Sequence, residues 1–160
     1  MMKAKNLNKL LLLVIICLLV GFAGSVFTGP AVSSWYVDII KPSFNPPNWL
    51  FGPVWTLLYI LMGIAWYLVW NKDLKNKTVR FVFWLFSMHL IFNFLWSVIF
   101  FGLRNFELAF IEIAALWIFI LYLFFAFISI DKRAGWLMIP YLLWVSFASV
   151  LNYAIWQLNY

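Results

Sequence analysis

The run FELAFIEIAALWIFILYLFFAFISI, from Phe106 to Ile130, holds two acidic residues and no basic one. About 20 apolar residues in helical form cross a bilayer core of roughly 30 Å. Strands that span lipid are shorter and alternate in polarity, and an open strand would leave backbone groups unpaired there. The run is therefore predicted to be a membrane-spanning helix. Outward from it, four more runs meet the same criterion: Leu10 to Thr28, Trp49 to Trp70, Phe81 to Leu103, and Gly135 to Trp156. The predicted fold class is an all-α integral membrane protein, a bundle of five transmembrane helices forming one domain over residues 1–160.

Composition agrees with this. Apolar residues make up 67% of the chain and charged residues 10%, whereas soluble domains sit near half and a quarter. A soluble globule of this size could not hide so much apolar surface, so lipid must solvate much of it. The net charge of +6 could suggest a nucleic-acid partner, but the basic residues sit in short loops between apolar runs. That placement encodes membrane orientation, and no nucleic-acid partner is expected. Cys17 is the only cysteine, which excludes an internal disulfide and the common zinc patterns. The first run has a basic start, yet its core is long for a signal peptide and no A-x-A-like site follows. Val14, Ile15 and Ile16 are also not the small residues expected before a lipidated cysteine.

Lys and Arg counts set the expected orientation. Lys3, Lys5, Lys9, Lys72, Lys75, Lys77, Arg80, Lys132 and Arg133 fall on one side, and Lys41 and Arg104 on the other. This split predicts a cytoplasmic amino terminus and an external carboxyl terminus, most simply in a bacterial cytoplasmic membrane. The external segment Gly29 to Asn48 is the one long loop. It carries Pro30, Pro42, Pro46 and Pro47 among Trp35, Tyr36 and Phe44. Proline fixes φ, so a rigid lid over the outer end is predicted.

The chain has 11 tryptophans. Trp35, Trp49, Trp70, Trp84, Trp136 and Trp156 lie near run ends and suit an interfacial aromatic belt. Trp55, Trp66, Trp96, Trp117 and Trp144 lie deeper. Trp55, Tyr59, Met62 and Trp66 share one helical face by spacing, as do His89, Asn93, Trp96 and Phe100, and Trp144, Ala148, Leu151 and Ile155. Each stripe alone is compatible with ordinary helix packing. Together, at one depth under a lid, they describe a pocket for a flat apolar ligand. Polar Asn93 and His89 should face the bundle interior or a cavity. His89 has no ligand-spaced partner, so hydrogen bonding is expected of it and no metal site is predicted.

Glu112 is either a functional ionisable group or a protonated carboxyl bonded to a neighbouring helix. Pro140 should kink the fifth run. Gly21, Ser25 and Gly29 form a small-residue face for close helix approach, within the bundle or between protomers. The chain shows no Gly-rich phosphate loop, Ser/His/Asp set or close carboxylate pair, so hydrolase and nucleotide-driven chemistry are poor fits. No sustained internal repeat is present, and five spans do not divide into the equal halves of an inverted-repeat transporter.

Several of these residues form a pattern. Trp35-Tyr36, Lys41-Pro42-Ser43-Phe44-Asn45-Pro46-Pro47-Asn48-Trp49, Gly52-Pro53-Val54-Trp55, Leu58-Tyr59 and Met62-Gly63 strongly resemble the TspO/MBR family. Asn93 with Trp96, Phe101-Gly102-Leu103-Arg104, and Pro140-Tyr141-Leu142-Leu143-Trp144 through Leu151-Asn152-Tyr153 extend the resemblance over nearly all the chain after the first span. That family comprises the tryptophan-rich sensory protein of bacteria and the related mitochondrial translocator protein, or peripheral-type benzodiazepine receptor.

The resemblance implies five transmembrane helices and a homodimer. It also implies binding of protoporphyrin IX, haem or other flat apolar ligands, with no obligatory cofactor. Its pocket residues map onto Trp55, Trp144, Asn93, Ala148 and Leu151, and its acidic residue on the fourth span maps onto Glu112. Tyr59, Trp96 and Pro47 complete the expected ligand-binding set. Gln157 stands where the cholesterol-recognition pattern has a basic residue, which argues against sterol binding. Four functions follow as expectations. The chain would be a tetrapyrrole receptor or sensor, a light-dependent porphyrin-degrading enzyme using Trp55 and Trp144, a transporter of porphyrin or sterol, or a structural partner protein with an incidental pocket.

Overall fold

The computed structural model describes residues 4–160, with side chains from Asn6 onward. Lys3 lies outside the described residues, as does the side chain of Lys5. Among the described residues there are five long helices and no strand: α1 (Ala4–Val32), α2 (Phe51–Trp70), α3 (Lys77–Ser97), α4 (Phe106–Ile130) and α5 (Lys132–Leu158). Each is long and apolar enough to cross a membrane. The protein is a five-helix integral membrane bundle in a lipid bilayer.

Capping explains where the helices begin. Asn76 accepts hydrogen bonds from the backbone N–H groups of Thr78 and Val79, so α3 starts within the basic loop. Asn105 accepts from Leu108 N and opens α4 at Phe106. Asp131 accepts from Arg133 N and opens α5 three residues before the predicted run. Each satisfies an otherwise unpaired first-turn donor.

α1 continues past Gly29, where the loop was expected to begin, and takes in Pro30. Proline's φ is compatible with a helix and removes only its own N–H bond. Ser33 and Ser34 hydroxyls donate back to the carbonyls of Gly29 and Pro30 and finish the last turn. α5 likewise runs through Pro140 as one helix, with that residue exposed.

The helices close a ring: α1 packs on α2, α2 on α5, α5 on α4, α4 on α3, and α3 on α1. Two glycines permit close approaches between neighbouring helices. A Cβ on Gly63 would lie 2.6 Å from Val14 Cα, and one on Gly135 would collide with Ile128 Cγ1. At the basic end, buried Asp131 bonds to Arg133 and to Lys72, with N···O distances of 2.9 and 3.0 Å. This clamps the α2–α3 loop to the start of α5. The Arg133 guanidinium first, and Lys72 with it, hold the Asp131 carboxyl far below the usual carboxylate range despite its burial.

The opposite end carries the loop of residues 33–47 with two short 3₁₀ turns, Trp35–Val37 and Asn48–Leu50, the second leading into α2. Tyr36 is buried and donates to Asn45 Oδ1. Burial pushes its phenol up to about 12. Trp35, expected in the aromatic belt, packs on Tyr36, Phe101 and Phe106 instead, with the Arg104 guanidinium 5.2 Å from its ring. That contact helps hold Arg104 at φ 54°, a conformation that a non-glycine residue rarely adopts. Farther along, Ile40 N donates to Asn159 Oδ1 at 2.9 Å, and Asn159 Nδ2 returns a bond to Ile40 O at 2.8 Å. The loop is thereby latched to the last turn of α5.

Candidate functional site

Inside the ring, toward the loop end, lies a cavity of about 500 Å³. That is within the usual range for small-molecule sites, about 300–1,000 Å³. Trp55 and Tyr59 from α2, Asn93 and Trp96 from α3, and Trp144, Ala148 and Leu151 from α5 all line it. These seven expected residues are brought together by three helical stripes that face one void. Pro47 does not line it. Its extended backbone (φ −62°, ψ 140°) starts the 3₁₀ turn with the ring exposed, and Asn48 takes the place on the wall.

The stripes divide by depth. Met62 and Trp66 continue the α2 stripe away from the cavity into solid core, where Trp66 packs on Phe83 and Phe86 and donates to Phe83 O. Trp117 bridges α4 to α5 by donating to Ser146 Oγ at 2.7 Å, a packing role. Trp49, Trp84 and Trp136 are exposed, as an interfacial belt requires.

Beneath the cavity runs a buried hydrogen-bond chain. Tyr59 donates its hydroxyl to Asn93 Oδ1. Asn93 Nδ2 donates to Tyr141 Oη at 2.8 Å, which lies 2.9 Å from His89 Nε2. His89 Nδ1 lies 3.3 Å from Phe86 O. A carbonyl can only accept, so Nδ1 carries the proton and Nε2 accepts from Tyr141. Every bond then points the same way, from the cavity floor into α3. The chain fixes the Asn93 amide with its oxygen toward Tyr59. A second pair sits on the adjoining wall: Trp96 Nε1 donates to Asn152 Oδ1 at 3.0 Å, and Asn152 Nδ2 donates to Phe106 O at 2.9 Å.

One buried donor of a cavity-lining residue is unpaired among the described residues, and it is closed off from the void itself. Trp144 Nε1 is buried and has no acceptor among the described residues. A buried unpaired donor costs about 1–3 kcal/mol, so it is a feature that calls for a partner. Trp144 is otherwise held edge-on by Phe51 and tilted against Phe147. On the neighbouring helix α2, Trp55 packs on Tyr59 with centroids 5.6 Å apart and meets Tyr141 of α5 edge-on at 6.2 Å.

Outside the wall, Glu112 is half-buried. Both of its carboxylate oxygens are buried and meet no partner among the described residues, so no bonded partner on a neighbouring helix is found there. Gly21 alone of the small-residue face of α1 makes a close approach, to the Tyr59 ring, while Ser25 and Gly29 open onto the cavity.

Two further wall features escaped the sequence reading. A π-helical turn at Val98–Gly102, closed by Leu103 N to Val98 O at 2.8 Å, turns both Phe100 and Phe101 onto the wall. Nothing in local composition signals such a turn. Asn152 and Tyr141 were findable, because a polar atom inside a span asks for an interior partner.

Comparison with known proteins matches this arrangement to one family. The TspO/MBR family profile covers residues 13–157. The chain belongs to the TspO/MBR family. The tryptophan-rich protein TspO of Chlorobaculum tepidum is 46% identical over 155 residues, covering 97% of this chain and 98% of the relative. The protein of the same name from Archaeoglobus fulgidus is 45% identical, covering 96% and 99%. The human translocator protein is 36% identical over 141 residues, covering 87% and 83%. The match to the TspO/MBR profile therefore spans all five helices and the latched loop.

Proposed function

We propose that the protein is a membrane receptor or sensor that binds flat apolar ligands of the tetrapyrrole type, protoporphyrin IX or haem, in the ring cavity. The observation that carries the reading is the cavity of about 500 Å³ walled by the rings of Trp55, Tyr59, Trp96 and Trp144. Such a wall favours a flat aromatic ligand by stacking, and the buried, unpaired Trp144 indole N–H, once turned toward the void, favours one bearing an oxygen acceptor at its edge. Trp55, Tyr59 and Trp96 supply faces, Asn93 is held by Tyr141, and Ala148 leaves room that a larger residue would fill. The name of a further relative, the tryptophan-rich sensory protein of Cereibacter sphaeroides, 35% identical over 126 residues, agrees with a sensor role.

The test is a titration in the dark of purified protein with protoporphyrin IX, followed by indole emission and by the porphyrin absorption band. Saturable quenching that weakens in a Trp55→Phe, Trp144→Phe double variant is expected. No saturable binding to folded protein would remove the reading.

A second reading is favoured by the placement of Trp55 and Trp144 on adjacent helices lining one cavity. Both indoles would be within reach of a photoexcited ring as electron donors, as light-dependent porphyrin breakdown requires. Illuminating the bound sample tests it. A lasting spectral change that needs both indoles supports breakdown, and unchanged spectra sink it.

The nine-against-two charge split supports an orientation with the loop end outside the cell membrane and the Asp131 end in the cytoplasm. Cysteine introduced at Ser33 should react with an impermeant maleimide added to whole cells, and cysteine at Lys75 should not; Cys17 is buried and leaves the background low.

A further inference from the structure

α1 does not stay with one neighbour. Toward the basic end it is pressed on α2, with Val14 against Gly63 and the Tyr59 ring under Gly21. Toward the loop end it leans on α3. A Cβ on Gly24 would lie 3.0 Å from Ser97 Oγ, Phe27 meets Phe94 edge-on at 6.0 Å, and Phe27 also lies against Gly102. The loop-end halves of α1 and α2 therefore part.

The parting reaches the cavity. Phe22, Ser25 and Gly29 on α1, and Asn48, Gly52 and Thr56 at the start of α2, line the cavity and are also exposed on the outside of the bundle. Phe22 is 69% exposed, so the same residue borders the void and the exterior. A Cβ on Gly29 or Gly52 would meet nothing within 4 Å. The exterior beside these spans is lipid, because they are membrane-crossing helices.

Apart from the exposed Asn48 amide at its loop-end edge, the slot is lined by apolar atoms and self-bonded hydroxyls. Ser25 Oγ donates to Phe22 O at 2.7 Å, Thr28 Oγ1 to Gly24 O at 3.2 Å, and Thr56 Oγ1 to Gly52 O at 2.9 Å. Each hydroxyl spends its donor on its own helix, so an apolar molecule passing it strands no donor. Above the cavity, by contrast, the loop is latched to α5 through Ile40 and Asn159 and pinned to the α3–α4 turn through Trp35.

We propose that the cavity opens sideways to the bilayer through this slot between α1 and α2, and exchanges membrane-dissolved apolar molecules, phospholipid acyl chains included, by that route. The proposal concerns the same cavity as the receptor reading but does not depend on which molecule is its signal. It implies that the ligand partitions into lipid before it binds, and that an acyl chain occupies the cavity when no ligand does.

The test uses full-length protein in nanodiscs of phosphatidylcholine carrying a diazirine at mid-chain. After illumination, peptide mapping should find label on the cavity residues Trp55, Ala148 and Leu151. It should also find label on outward-facing Phe125 and Leu143, which are 61% and 65% exposed. In Gly29→Phe, and separately in Gly52→Phe, cavity labelling should fall at least tenfold while labelling of Phe125 and Leu143 is kept. Retained outward labelling and an unchanged thermal unfolding midpoint show that the variants are folded. Cavity residues without label in the wild type, or labelled equally in both slot variants, would overturn the proposal.

A third arm adds saturating protoporphyrin IX to the wild type. Loss of cavity labelling would support the tetrapyrrole reading together with the slot. Persistence would count against protoporphyrin IX as ligand and leave the slot standing.

Discussion

Trp144 offers a measurement in which magnitude separates two chemistries. Replacing it by Phe removes the indole N–H and some apolar surface at once. The surface loss weakens every flat ligand alike, whereas the N–H loss weakens only ligands with an oxygen at their edge. A hydrogen bond to a neutral acceptor contributes about 0.5–1.5 kcal/mol, or about 2- to 13-fold in Kd. A bond to a carboxylate contributes about 1.5–3 kcal/mol, or about 12- to 160-fold.

In the free protein this donor is closed to water and unpaired, so once the indole turns it toward the cavity a ligand acceptor gains the bond without first breaking another. Three ligands make the comparison: protoporphyrin IX with its carboxylates, its dimethyl ester, and octaethylporphyrin, which has no oxygen. The assay is the dark titration of wild type and Trp144→Phe with each. After the octaethylporphyrin loss is subtracted as the shape term, protoporphyrin IX should lose a further ~12-fold or more if a carboxylate meets Nε1. The ester should lose ~2- to 13-fold. Equal losses for all three ligands would refute the argument that the unpaired indole selects the ligand.

Three other outcomes follow from the packing. Tyr141→Phe removes the group between Asn93 and His89 and breaks two interhelical or buried bonds. Such bonds in membranes contribute about 0.6 kcal/mol each, up to ~1.7, so a loss of about 1–3 kcal/mol is expected. Unfolding in mixed micelles measures it, and a change below ~0.3 kcal/mol would mean that the chain is not formed.

Asp131→Asn should lower the thermal unfolding midpoint at pH 7. The folded carboxyl is held below its unfolded value near ~3.9, so its stabilisation is present above that value and fades as pH falls through the folded one. The gap between wild type and variant should therefore be constant from pH 6 to 8 and shrink below about pH 4; a gap that instead widens in acid contradicts the assignment. Gly63→Ala places a methyl 2.6 Å from Val14 Cα and must push α1 off α2. A cost of about 1–3 kcal/mol is expected, and wild-type stability would show that the approach is looser than described.

Much of this molecule is legible in its sequence, for a physical reason. Lipid cannot satisfy backbone groups, so a chain with five apolar runs has few structural options, and the run from Phe106 to Ile130 alone already requires a spanning helix. Helical periodicity then places Trp55 with Tyr59, Asn93 with Trp96, and Trp144 with Ala148 and Leu151 on single faces before any contact is known. Other features depend on partners far along the chain, which local spacing does not contain. The ring order brings α2 against α5 and α3 against α1, turning three stripes toward one void. Pro47 reads as a pocket residue from its neighbourhood, but its backbone turns it outward and Asn48 inward. The latch from Ile40 to Asn159 joins residues 119 apart.

The parting of α1 from α2 arises because one glycine stripe serves two neighbours. Gly21 sits against Tyr59, Gly24 against Ser97, and Gly29 against nothing. Spacing identified a face of small residues on α1; only the packing of the other helices settled which stretch of it is contact and which is opening.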